Sequence, residues 1–94
     1  MPKAIWNGQL IAETVEPEMV EGNCYFPPDS VNQAYLEESA HTSVCGWKGT
    51  ANYYTIVVDG QRNENAAWCY RSTKPEAKNI EGYVAFWKGV EVTD

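Results

Sequence analysis

Ninety-four residues bound the chain to one domain, 1–94, whose fold buries roughly 60–65% of the surface its unfolded form exposes. The formal net charge is −6, and the seven Lys and Arg are scattered without a run or stripe. That charge argues against nucleic-acid partners, whose affinity comes from basic patches that neutralise phosphates. The opening MPKAIWNGQL has no apolar leader core and no run approaches a membrane span, so no membrane association is expected.

In chain order, Lys3 to Glu13 reads as a hairpin around Asn7-Gly8, because a type I′ turn needs positive φ at both central positions. Met19 to Phe26 reads as a second hairpin bending at Glu21-Gly22-Asn23. Pro27-Pro28 stops that strand, since proline cannot donate to a ladder. Asp29-Ser30 offers side-chain acceptors for a helix start. Val31, Ala34 and Tyr35 then follow a helical spacing, widened by Leu36, which predicts a main helix of about two turns over Val31 to Glu37.

Thr42 to Cys45 reads as a strand and Gly46-Trp47-Lys48-Gly49 as a turn, with glycine available for positive φ at both ends. Thr50 to Val58 is the most strand-like piece. Alternation sends Ala51, Tyr53, Thr55 and Val57 to one face and Asn52, Tyr54, Ile56 and Val58 to the other. Asp59-Gly60 is a turn, and Gln61 to Asn65 a polar loop or ribbon. Ala66 to Arg71 reads as a strand with Trp68 and Tyr70 on one face. Ser72 to Glu76 starts a short helix that Gly82 breaks. Tyr83 to Trp87 is a strand, Lys88-Gly89 a turn, and Val90 to Val92 an edge strand. The sum is a mainly β domain of seven to nine short strands with one or two short helices.

Four Trp, six Tyr and two Phe are more than a small core needs. Some are free to line a pocket, since aromatics combine a large apolar body with defined contact geometry. The three cysteines, Cys24, Cys45 and Cys69, show no paired C-x-x-C spacing, so no structural metal is expected and no cofactor is implied. They fit buried small hydrophobes in a reducing, cytoplasmic setting. His41 and Cys45 offer a thiol–imidazole pair only if the chain bends between them. On a straight strand, residues four apart lie about 13 Å from each other. Lys48, between Trp47 and Gly49, reads either as a solvated turn lysine or as a cation for a carboxylate, a phosphate or an aromatic face. Desolvated, it would become a nucleophile or base.

The order Glu21, Tyr25-Phe26-Pro27, Ser39, Thr42-x-x-Cys45-x-Trp47-Lys48-Gly49-x-Ala51-x-Tyr53, Ala67-Trp68-x-Tyr70 and Ala85-Phe86 resembles domain-of-unknown-function family 427 over about Gly8 to Val92. That family is also filed under a nucleotidyltransferase-type name. Two departures are visible. Gly46 stands where the family has proline, and Arg71-Ser72-Thr73 lacks the proline that follows the Trp-x-Tyr element. The resemblance implies a β-tent fold, two small antiparallel sheets meeting at an angle, similar to the drug-binding domain of cereblon and to methionine sulfoxide reductase B. The paired cysteines that hold zinc in those relatives are missing here. No Gly-rich phosphate loop and no D-x-D-like carboxylate pair accompanies the nucleotidyltransferase label.

From residues and resemblance together, the expected function is small-molecule binding. Trp47, Trp68 and Tyr70 would form apolar walls, Lys48 and Glu21 would supply charge, Tyr25 would lie beside Glu21, and Ser39 and Thr42 would add hydroxyls. The alternatives are an enzyme using Lys48 or Cys45, and a protein-interaction module. The expected state is a monomer or a weak homodimer pairing through an edge such as Val90 to Val92.

Overall fold

Pairs of the form Xaa-Gly set the strand order. In the computed structural model, which describes residues 1–94, β1 (Lys3–Trp6) and β2 (Gln9–Glu13) pair antiparallel across Asn7-Gly8. The φ values at that turn are 53° and 73°, the sign a type I′ turn requires. The ribbon of β3 (Glu18–Val20) and β4 (Asn23–Tyr25) bends at Glu21-Gly22, with φ of 54° and 79°. Strands β6 (Gly49–Val58) and β7 (Gln61–Cys69) close around Asp59-Gly60 in the same way. The remaining strands are β5 (Leu36–Cys45), β8 (Val84–Phe86) and β9 (Glu91–Thr93).

These nine strands form a four-stranded sheet β5-β6-β7-β8, a three-stranded sheet β2-β1-β9 and the β3-β4 ribbon, all antiparallel. The fold is mainly β, as expected. By ladder there are three small sheets. Phe26, just past β4, exchanges both backbone hydrogen bonds with Val84 of β8, at 2.8 and 2.9 Å, so the ribbon prolongs the edge of the four-stranded sheet. No helix is long and apolar enough to cross a membrane.

The four-stranded sheet is covered on both faces. One face carries Ile56, Val58, Ala67, Cys69, Val84 and Phe86, which join Phe26 against Ala4, Ile11 and Ala12 of the three-stranded sheet. A bulge opposite Ala4 and Ile5 lets the consecutive Ile11 and Ala12 both reach this core. The opposite face carries Ala51, Tyr70 and Ala85 against Tyr25, Ala77 and Ile80. Period-two alternation explains the split. Tyr25 and Phe26 enter different cores, as do Ala85 and its two neighbours in β8. The face assignment expected for β6 holds.

The expected helix over Val31 to Glu37 does not form. Val31 bridges Ala12, Gln33–Tyr35 makes one 3-10 turn, and Leu36 already belongs to β5. The segment is too short to meet the cost of helix nucleation, and sheet partners compete for it. Asn32 caps the 3-10 turn by accepting the Ala34 N–H at 3.1 Å. The Ser30 hydroxyl donates back to the Pro27 carbonyl at 2.7 Å rather than capping a helix. After Lys74 the helical element is 3-10, Pro75–Ile80, broken by a non-helical Ala77 and without a side-chain cap. Thr73 instead contacts Glu81, through both its N–H and its hydroxyl. Of the cysteines only Cys69 is fully buried, and all three are free thiols. The polar Gln61 to Asn65 stretch is the first half of β7.

Phe26 is fully buried and packs edge-on to Phe86 at 5.6 Å, whereas Val44 is 81% exposed. Phe26→Ala is expected to lower the free energy of unfolding by about 3–5 kcal/mol, and Val44→Ala by less than about 0.5 kcal/mol. Urea denaturation of both variants checks this, and comparable losses would contradict the two-core arrangement.

Candidate functional site

The β5–β6 turn is held from outside. Gly49 has φ of 121°, and a Cβ there would lie 3.1 Å from the Ser72 carbonyl oxygen. That proximity allows a β-bridge between Gly49 and Thr73. The Lys74 N–H donates to the Lys48 carbonyl at 3.0 Å, and the Lys74 ammonium donates to the Gly46 carbonyl at 2.6 Å. Gly46, available for positive φ, does not adopt it, and the space around its Cβ position is open.

This clamp directs Lys48 inward. The residue is 6% exposed, its ammonium donates to a Glu21 carboxylate oxygen, and its Nζ lies 5.1 Å from the Trp47 ring centroid and 5.7 Å from that of Tyr70. Burial acts to pull the ammonium pKa down. The Glu21 hydrogen bond and the neighbouring hydroxyl and thiol groups outweigh it and hold Lys48 above the usual lysine value. The same hydrogen bond holds Glu21 below the usual carboxylate value, although its side chain is half exposed. Lys48 is thus a fixed cation near neutral pH, not the neutral amine that nucleophilic chemistry requires.

Beside Lys48 lies a concavity of about 230 Å³, walled by Tyr25, Tyr53, Trp68, Tyr70 and Trp87, with Asn23 at the ribbon side. The rings brace one another. Trp68 meets Tyr25 edge-on at 6.1 Å and Trp87 at 6.0 Å, and Tyr53 lies 6.5 Å from both tryptophans. The Trp68 indole N–H donates to the Tyr25 hydroxyl at 3.2 Å. Burial raises the pKa of both Tyr25 and Tyr70, which keeps their hydroxyls uncharged.

Trp87 is aimed by a bulge in β7. At Asn65, φ of 57°, the β6–β7 register shifts. The Trp87 indole donates to the Asn65 carbonyl at 2.6 Å, the Thr55 hydroxyl accepts the Asn65 N–H at 3.3 Å, and the Ser39 hydroxyl bonds the Asn65 side chain at 2.5 Å.

Of the residues singled out in the sequence, Tyr25, Lys48, Trp68 and Tyr70 line the concavity, and Glu21 reaches Lys48 from outside it. Trp47 lies on the outer side of Lys48 and is 39% exposed. Ser39 and Thr42 are not among the lining residues. Ser39 supports the Asn65 bulge, and Thr42 pairs with Asn52 on the exposed β5 edge. His41 meets Tyr53 edge-on at 4.6 Å, and Cys45 packs beside the second core, so the thiol–imidazole pairing has no support.

Sequence reasoning did not single out Asn23, Trp87 or Tyr53 as site residues. Trp87 had a signal. The tripeptide Trp87-Lys88-Gly89 repeats Trp47-Lys48-Gly49, and in each the lysine Nζ lies 5.1 Å from its own tryptophan ring. Asn23 had none, because nothing in the ribbon's sequence marks which side chain meets the rings.

The family model described as Domain of unknown function (DUF427) matches residues 2–94. The chain belongs to this family. No curated protein matches it. The family description assigns no activity, so the DUF427 chemistry rests on the site itself. No Asp or Glu lines the concavity, and no three His, Cys, Asp or Glu side chains converge to hold a metal ion. Nothing in the geometry corresponds to the nucleotidyltransferase-type name.

Two outcomes are expected at this site. Gly49→Ala forces a side chain into positive φ against a backbone oxygen, at a cost of about 1–3 kcal/mol. Thermal unfolding would register it, while Gly46→Ala, made where space is open, is expected to be neutral or slightly stabilising. Glu21→Gln leaves burial as the dominant influence on Lys48, so its pKa is expected below the usual 10.5, as read by NMR titration of the lysine side chain. In the natural chain the pair's contribution to stability is complete between the carboxylate and lysine ranges. It fades as pH falls through the depressed Glu21 pKa and as pH rises through the elevated Lys48 pKa. A Lys48 pKa unchanged in Glu21→Gln would show that the pair is not coupled.

Proposed function

We propose that the chain is a small-molecule-binding domain whose ligand sits against Trp68, Tyr70 and Trp87 and takes a polar contact from Lys48. One observation carries this reading. Five aromatic side chains surround a concavity into which a single buried cation projects. Ligand sites are mostly apolar with a few placed polar groups. At about 230 Å³ the space is below the range of drug-sized pockets and matches a single planar ring. The enzyme alternative built on Lys48 as nucleophile is disfavoured, because Glu21 keeps the amine protonated. The interaction-module reading has no observation in its favour.

Trp68 and Trp87 both face the space, so an occupant changes tryptophan emission. Titration with a panel of small planar metabolites, anionic, neutral and cationic, is expected to give at least one saturable response that Tyr70→Ala and Trp68→Phe weaken by about tenfold or more. Flat titrations across all three charge classes would overturn the proposal.

A further inference from the structure

The groups around the concavity point to the charge of its occupant. Most of the polar atoms there already have partners. The Trp68 N–H is engaged by Tyr25, the Trp87 N–H by the Asn65 carbonyl, and the Tyr53 hydroxyl by Ser43 at 2.9 Å. What remains is the Asn23 amide and the Tyr70 hydroxyl, each able to donate or accept, and two groups that only add donors. The Tyr25 hydroxyl accepts from Trp68 and keeps its own proton to donate. The Lys48 ammonium has three N–H donors and hydrogen-bonds only Glu21. No carboxylate lines the space.

Glu21 itself is out of place by local rules. It occupies the first position of a two-residue turn, with φ of 54°, where Asn, Asp or Gly is favoured. The turns Asn7-Gly8 and Asp59-Gly60 of this chain obey that preference, while Lys88-Gly89 departs from it as Glu21-Gly22 does. A long carboxylate at a left-handed position is strained, and here its main contact is Lys48, with a lesser hydrogen bond from Trp47. Its side chain is 53% exposed, so it can leave for water without disturbing packing.

We propose, building on the ligand-binding reading above, that Glu21 is a displaceable stand-in for a carboxylate on the ligand. The concavity takes a small planar carboxylate whose ring lies against Trp68, Tyr70 and Trp87 and whose oxygens replace Glu21 on Lys48. The exchange conserves the charge beside Lys48 and adds the burial of an aromatic or unsaturated ring. The chain's net charge of −6 selects against polyanions at long range, while a compact monoanion, screened beyond about 10 Å, meets only the local cation.

The test is a comparison of benzoate, benzamide and benzyltrimethylammonium, matched in ring and differing in charge, titrated into the full chain at neutral pH. Natural protein, Glu21→Gln and Lys48→Met are compared by tryptophan emission and calorimetry. Benzoate is expected to bind about tenfold or more tighter than benzamide, because its contact with Lys48 is charge-assisted on both sides. Lys48→Met is expected to erase that preference. Glu21→Gln, at an exposed turn position, is expected to tighten benzoate several-fold by removing its competitor, and to tighten benzamide less. Benzamide or the ammonium binding as well as benzoate, or Glu21→Gln leaving benzoate affinity unaltered, overturns the carboxylate assignment and leaves the ligand-binding reading standing. Failure of all three probes overturns the assignment too, and the ligand-binding reading falls with it only if the metabolite panel is also flat.

Discussion

The pleat of the four-stranded sheet governs everything else in the molecule. Each of its central strands serves two cores, one per face, because adjacent side chains point to opposite sides. Ile56 and Val58 pack toward the three-stranded sheet, and Ala51 and Tyr53 toward the aromatic side. The first core is made of aliphatic and Phe side chains with Cys69. The second is built from Tyr25, Tyr70, Ile80 and small alanines, with Tyr53, Trp68 and Tyr83 partly buried around it. The concavity lies among the rings of this second side. A one-residue slip of β7 would exchange Trp68 for Ala67 and abolish both cores together.

Lys48 is difficult to explain as a stabilising element. A buried ammonium carries a desolvation penalty of several kcal/mol. Its partner Glu21 is half exposed, so their attraction is weakened by water, and exposed pairs contribute only about 0–1 kcal/mol. Contacts with the Trp47 and Tyr70 rings return about 0.5–2 kcal/mol at most. These contributions come close to cancelling, so an apolar side chain of the same length would serve the fold as well. Yet the backbone around Lys48 is secured by two hydrogen bonds from Lys74, by a bridge at Thr73 and by a glycine where any side chain would be strained. The backbone thus aims one charge that stability alone does not require, and it is this that the ligand-binding proposal rests on.

Turns and strand faces were legible in the sequence, because Xaa-Gly pairs and period-two alternation are local signals. Asn7-Gly8, Asp59-Gly60 and the β6 faces needed no knowledge of the rest of the chain. The helix expected at Val31 was misread because its spacing is equally that of residues meeting different partners: Val31 bridges Ala12, and Leu36 pairs with Ile56. Tyr25, Lys48, Trp68 and Tyr70, which line the concavity, sit beside a motif. Ser39 and Thr42 lie away from it because a hydroxyl's place depends on which bulge it meets, and the β5 and β7 bulges are properties of the assembled sheet. Asn23 depends on the Phe26–Val84 bridge, which fixes the ribbon against β8 across almost sixty residues of chain and leaves no local trace.

The two Trp-Lys-Gly tripeptides show how far the same local chemistry is redirected by its setting. Gly49 provides the extreme φ in the first, and Lys48 is driven inward beneath Ser72 to Lys74. In the second, Lys88 itself takes φ of 53°, its ammonium folds back over Trp87 to the Glu64 carbonyl at 3.3 Å, and its carbonyl accepts from Asn63 at 2.8 Å. One lysine enters the concavity and the other covers the outside of its wall. Trp47 and Trp87 exchange roles correspondingly: Trp87 lines the space, while Trp47 lies behind the cation. One wall residue, Trp87, and the charge, Lys48, therefore come from two copies of one short sequence, one set by the turn clamp and the other by the Asn65 bulge. Those two backbone devices, not the tripeptide, decide which residue faces the concavity.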